Sequence, residues 1–514
     1  MRVLFYLEAH PIRDSFTNFS WLKGRLLQLC SSVNKENFKI FSNEQSLDLL
    51  EEYNCLFADY LIHPESKDSD HINSYMKEWS QDQGIKTWKE LMHGEGEVSE
   101  FFMGLLKKVK ATKFDFDIIV HWSINGAVLK FARENDVVPV TMELGFLRHP
   151  FMSSIMFDDG GIIDSRNYKL SIEDLYDCGL KGISTSEAQI LFSGKNENLN
   201  ILHEKKYLVE DLDLQKIVEK KVNRKVALIP IQLEDDSNIV NSRFKSVTGF
   251  LEEVVPKLIK NNFYCIIKTH PKYVNSDINI ESCKESQDFY SSLSSDHVMW
   301  LDKEITKGDY IRMLNMVDSV ITVNSSVGFE SVLFDKEVAV LGQAPYKVNN
   351  VFLSVDEITT SKYDKDKYLK DLAVLREYFL HFYLVNDEDA FIGCFFFERI
   401  RSIAYLYKAS KDNKEWLGIV KSIFIDRDKV LRKMCLSTKI YKKNPISVYF
   451  KDSKSCLHKI VSFQIFNRLH VQAVIRNKSS MLPYILKNFS RSFSTKIYKN
   501  YNLEIWLKKT AEKT

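Results

Sequence analysis

The sequence is poor in the residues that punctuate and cross-link a chain. Only 10 prolines and 18 glycines serve 514 residues, and no low-complexity linker or fixed-period repeat divides it. Its eight cysteines, at 30, 55, 178, 265, 283, 394, 435 and 456, are scattered without a Cys-x-x-Cys pair. That spacing argues against a zinc site or a disulfide framework and favours a reducing compartment. No uncharged apolar run reaches the roughly 18 residues of a membrane-spanning helix. The apolar stretch within Met1–Glu8 is too short for a signal peptide. Several chemical signatures are also missing. No Gly-x-Gly-x-x-Gly follows the first apolar run, and there is no Gly-x-x-x-x-Gly-Lys-Ser/Thr, His-Glu-x-x-His or Gly-x-Ser-x-Gly. Dinucleotide-binding, P-loop, zinc-protease and nucleophile-elbow readings therefore lack support.

Core material is plentiful: 45% of residues are hydrophobic, including 34 Phe and 23 Tyr. This length exceeds what one core usually supports, so two or three domains are expected. The net charge of +2 is unevenly spread. Residues 451–514 carry 13 Lys/Arg against 3 Asp/Glu, which leaves residues 1–450 at −8. The tail interleaves these charges with Phe, Ile, Leu, Tyr and Trp. Such a segment can lie on an anionic membrane surface, dock on an assembly complex, or cap its own protein. Nucleic-acid binding is the weaker reading, since no recognised module accompanies the charge.

The central stretch is Pro230–Ile239. The apolar run Val226–Ile231 breaks into Gln232 and then Glu234, Asp235 and Asp236. A buried parallel strand reads as such a run, and ligands in open α/β sheets sit past the carboxyl ends of strands. In isolation the acids are equally a solvated turn. Other strands are expected at 2–9, 116–120, 137–142, 182–185, 225–231, 263–267, 319–323 and 338–342, alternating with helices. This pattern indicates doubly wound parallel sheets, and its restart after residue 224 describes two Rossmann-like halves facing a polar cleft, a GT-B-type α/β architecture. Residues 1–205 are expected as the first of these domains and 206–365 as the second. Closing helices are expected over 366–410, and a basic, mainly helical extension over 411–514.

Three further groups fall at strand ends. Lys268-Thr269-His270-Pro271 places an imidazole beside an ammonium, a pair able to stabilise a leaving phosphate or donate a proton to it. Asn324-Ser325-Ser326 precedes a helix, where hydroxyls either cap the helix or help hold a phosphate. Glu330, one turn on, can take a ribose hydroxyl pair or face solvent. In the first half, Glu143 and Arg148 follow a strand, with Asp158-Asp159-Gly160 downstream.

The runs Glu143–Phe151 and Asp159–Ser165, Pro230–Ile239, Lys268–Pro271, Asn324–Glu330 and Gly342–Tyr346 resemble, in order, the signatures of the capsule polysaccharide biosynthesis family. The resemblance spans roughly residues 115–350 and is nearest to bacterial retaining β-Kdo transferases. It implies a CMP-Kdo donor, a glycan or glycolipid acceptor, and no metal or cofactor. Asp236 would be the nucleophile, with Asp235 as the neighbouring alternative and Gln232 as its orienting partner. Glu143 would be the acid/base group. His270, Lys268 and Arg148 would meet phosphate or carboxylate, Ser325 and Ser326 the phosphate, and Glu330 the ribose. A cytoplasmic protein, peripheral on the inner face of the membrane, is implied. Two rivals stand beside this reading. One is an inverting sialyltransferase-like enzyme using Asp158 or Asp159 as base. The other is a non-catalytic polysaccharide assembly or export protein.

Overall fold

The computed structural model describes residues 1–7, 20–78, 82–122, 124–148, 151–162, 164–192, 212–234, 236–270, 277–293, 296–302 and 305–409. Asp235, Pro150, Pro271 and the basic extension 411–514 lie outside the described residues.

The five residues of β1, Val3–Leu7, are all buried. A strand covered on both faces belongs in the middle of a parallel sheet. On one side β1 pairs with β2 (Phe38–Phe41), and on the other with β4 (Ile118–Trp122), both parallel. The two-residue strand β3 (Leu61–Ile62) extends the sheet beyond β2, and β5 (Val138–Leu144) extends it beyond β4. Two antiparallel strands finish that edge: β6 (Ser154–Asp158) and β12 (Val385–Asn386), giving the order β12-β6-β5-β4-β1-β2-β3. Side chains alternate faces along β1. Leu4 and Tyr6 pack with Trp88, Leu106 and Phe131 of the helices on one face. Val3, Phe5 and Leu7 join a second core that continues into the other half of the molecule.

The second sheet comprises β7 (Lys225–Pro230), β8 (Phe263–Lys268), β9 (Val298–Leu301), β10 (Ser319–Thr322) and β11 (Glu337–Val340), in the order β11-β10-β7-β8-β9. Every pairing in it is parallel. The chain runs outward from β7 through β8 to β9, then returns to β10 on β7's other side. The topological switch point therefore lies between β7 and β10, with the carboxyl ends of both strands beside it. Two doubly wound, Rossmann-like halves make this a GT-B-type α/β protein, as expected.

Several local readings needed correction. The first-half strand expected at 116–120 runs two residues further, because β1 and β5 pair with it as far as Trp122. His121 is therefore a buried strand residue bonded to Thr141 Oγ1, not a loop group. The piece at 182–185 is no strand. The amides of Lys181 and Gly182 are taken by the Glu377 carboxylate, and the Ile183 amide by the Ala373 carbonyl. The helix Lys365–Tyr378 ends in a π turn, Phe379–Tyr383, before the chain enters β12. The last helix, Gly393–Ala409, then packs on the first sheet, where Phe396 meets Phe38 and Phe157 at centroid distances of 5.9 and 6.3 Å. Among the described residues no helix is long and apolar enough to cross a membrane.

Candidate active site

Register brings the first group together. Pro230 pairs with Lys268, and the Ile231 amide donates to the Lys268 carbonyl at 3.0 Å. Gln232 and His270, each two residues past the last paired position, thus leave the sheet side by side. They line a small recess, with room for about one water, together with Leu233, Glu234, Ser282 and Cys283. The Gln232 Oε1 is buried and accepts no hydrogen bond within the described residues. A buried amide oxygen without a donor is costly, so this atom is poised for a donor from a ligand or water. The Lys268 ammonium reaches back toward the Thr269 carbonyl at 3.4 Å.

The acidic run divides into different jobs. Glu234 accepts from the Val247 amide at 3.0 Å and from Ser282 Oγ at 2.8 Å. It therefore joins the start of the helix Val247–Lys260 to the helix Asp277–Ser291. Asp236 is half-buried and opens a one-turn helix, Ser237–Val240, whose Ile239 and Val240 amides donate to its carbonyl at 2.9 and 3.0 Å.

The end of β10 is more closed than its sequence suggests. Ser325 caps the helix Ser326–Val332, its hydroxyl accepting from the Val327 amide and its own amide donating to Thr322 Oγ1 at 2.9 Å. Ser326 lies close enough to the Glu330 carboxylate to favour its charged form. Asn324 is 6% exposed; its Nδ2 donates to the Gln343 carbonyl, while its Oδ1 accepts nothing within the described residues. Glu330 does not face solvent, being only 4% exposed and bonded by the Tyr310 hydroxyl. Burial pushes its carboxyl up to about 7, against the opposing pull of Tyr310, the Arg148 guanidinium and Ser326.

Arg148 brings in the first half. It is exposed, donates to the Gly145 carbonyl at 3.3 Å, and stands close enough to Glu330 to hold its charge. Glu143, half-buried on β5, accepts from its neighbour's amide at Leu144. Between them, Phe146 enters an aromatic cage of Phe329, Phe379 and Tyr346, with centroids 4.6, 4.9 and 5.3 Å away. The sequence reading passed over this residue, although it sits inside the Glu143–Arg148 motif. Gly145 makes the turn possible: a Cβ there would fall 2.2 Å from Ser154 Oγ.

The downstream acids serve the interior. Asp158 accepts from the Gly160 amide, Ser165 Oγ and the Tyr383 hydroxyl at 2.8, 2.7 and 2.9 Å. Burial, reinforced by the charge of Asp159, raises its carboxyl to about 6. Asp159 is clamped by Arg166 Nε and Nη2, at 2.7 Å for the shortest contact. Neither carboxylate is exposed as a base for an inverting reaction.

The structure thus gathers Gln232, Asp236, Lys268 and His270 at the β7–β8 ends, and Ser325, Ser326, Glu330 and Arg148 at the β10 end. Solved structures similar to this chain include two Thermosulfurimonas dismutans KpsC chains, described as beta Kdo 2,7 transferase and beta Kdo 2,4 transferase. They share 15% and 16% identity, cover 57% and 51% of this chain and 89% and 79% of their own, and give TM-scores of 0.32 and 0.30. A UDP-GlcNAc 2-epimerase from Neisseria meningitidis shares 14% identity over 73% of this chain and 94% of its own, with a TM-score of 0.31. Among curated proteins none matches. Residues 186–384 match the family model described as Capsule polysaccharide biosynthesis protein. That span contains the motifs from Pro230 to Tyr346, in the order the family resemblance required. Over residues 186–384 the chain is thus similar to the capsule polysaccharide biosynthesis family.

Proposed function

We propose that the protein is a retaining glycosyltransferase that moves Kdo from CMP-Kdo to a growing capsule or lipopolysaccharide glycan. The observation that carries the reading is the place of Asp236: half-buried at the start of its own turn, in the segment by which the chain leaves β7, whose end pairs with the β8 end that carries Lys268 and His270.

In the first step an Asp236 carboxylate oxygen forms a bond to the anomeric carbon, and the bond from that carbon to the CMP phosphate oxygen breaks. The leaving phosphate takes the electron pair, stabilised by Lys268 and by His270, which can donate a proton to it. In the second step Glu143 accepts the proton of an acceptor hydroxyl. That oxygen attacks the same carbon and releases Asp236. Two displacements keep the donor's configuration. Gln232 orients the nucleophile, and Ser325, Ser326 and Arg148 hold the anionic groups of the donor. Residues 1–205 form the acceptor side, residues 206–365 the nucleotide side, and the basic residues 451–514 hold the enzyme at the anionic inner face of a membrane. Glu330 acts from behind, by fixing Ser326 and Tyr310, and meets the ribose only if Tyr310 swings away.

The test is transfer from CMP-Kdo to a glycan acceptor, with the product's anomeric configuration read by NMR. Retention is expected, and Asp236→Asn should lose at least about 1,000-fold in kcat. An inverted product would favour the sialyltransferase-like reading. Failure to bind CMP in a thermal-shift assay would favour the non-catalytic one.

A further inference from the structure

The two halves are joined in two different ways. At the back the joint is broad and dry: the aromatic cage around Phe146 is flanked by Asn167, which donates to the Pro345 carbonyl at 2.6 Å and accepts from the Tyr378 hydroxyl at 2.9 Å. Beside the candidate nucleophile the joint among the described residues is slight. There the one-turn helix that begins after Asp236 reaches the first half through Val240, Asn241, Met92 and His93. Val240 packs on the core beneath the first sheet. His93 Nε2 donates to Asn241 Oδ1 at 3.1 Å, and Asn241 Nδ2 lies 3.5 Å from Met92 Sδ.

A four-residue helix has almost no stability of its own, because nucleation costs more than one turn returns. The turn after Asp236 therefore needs external holds: Ile239, 1% exposed, ties it to the core of its own half, and Asn241 ties it to the first half. Its partner on the first half is firmly built. Met92 is 1% exposed, and Gly94, at φ +70°, lies against Gly126 so closely that a Cβ would fall 2.8 Å from the Gly126 carbonyl oxygen. Gly126 opens the helix that follows β4. The end of β4, the Gly94–Gly126 contact, His93, Asn241 and the Asp236 turn thus form one continuous chain of contacts.

We propose that His93 and Asn241 are positioning residues, which hold the Asp236 turn in register with the first half and so aim its carboxylate. The functional half of this inference rests on the reading of Asp236 as nucleophile; the anchoring half does not. Losing one such hydrogen bond shifts a local opening equilibrium by about fivefold. In His93→Leu and Asn241→Leu, amide exchange over residues 236–241 should quicken about fivefold. In the same variants kcat for transfer from CMP-Kdo should fall by a similar factor, with donor KM and melting temperature unchanged. His93→Gln, which keeps a donor at that reach, should restore both. Unchanged exchange in the two leucine variants, wild-type kcat in them, or a glutamine variant as impaired as leucine would overturn the proposal. A wild-type protein inert towards every CMP-sugar would sink the proposed function alone, and the exchange pattern would still decide the anchor.

Discussion

Glu330 is surrounded by groups that pull its proton affinity in opposite directions. Burial raises its carboxyl to about 7, while Tyr310, Arg148 and Ser326 resist. A carboxyl whose folded pKa exceeds its unfolded value binds its proton more tightly when folded. The contribution of this group to folding stability is therefore fully present below about pH 4.5 and is lost as pH rises to about 7. Wild type should lose about 3 kcal/mol from this group across that window. Glu330→Gln should lack that slope, and urea unfolding at pH 5 and pH 8 reads the difference. Asp158, raised to about 6, has the same sign over a lower window. Spacing alone could not separate Glu330 from an open ribose ligand, because its covering partner, Tyr310, lies 20 residues away in sequence. The acids at 234–236 were only half legible for a related reason. Their clustering is visible in the sequence, but Ser282, which occupies Glu234, comes from another helix 48 residues on.

At the level of elements, the central strands were the most readable. Runs such as Val226–Ile231 and Phe263–Ile267 are buried on both faces, so they need no alternation to announce themselves. Short edge pieces were not readable. β6 carries no comparable run, and Gly182–Thr185, which has the look of a strand, spends its first amides on Glu377 and Ala373 instead. The segment Glu143–Arg148 shows how a motif combines packing with chemistry. Its charged residues were found from the sequence, but the residue that fastens it, Phe146, is buried in aromatic rings from distant elements. Phe146→Ala should destabilise the fold by about 3–5 kcal/mol. A denaturant midpoint near wild type would show that the cage contributes little to the joint.

For the whole molecule, the order β11-β10-β7-β8-β9 puts the candidate residues where an open sheet has a crevice, and Arg148, from the loop after β5, stands near Glu330 there. The two-sheet plan was legible because helix and strand patterns restart after residue 224. The return of the chain to the first sheet through β12 and the helix Gly393–Ala409 was not, since a helix's own pattern says that it is buried but not against what. Among the described residues, a broad joint at the back and a slighter one beside Asp236 connect the two halves. The most direct measurement is intact-protein mass spectrometry after incubation with CMP-Kdo and no acceptor. Wild type should gain the mass of one ketosyl residue, and the adduct should map by peptide analysis to Asp236 and be absent from Asp236→Ala. An adduct that persists in Asp236→Ala, or full transfer activity in that variant, would contradict Asp236 as the nucleophile.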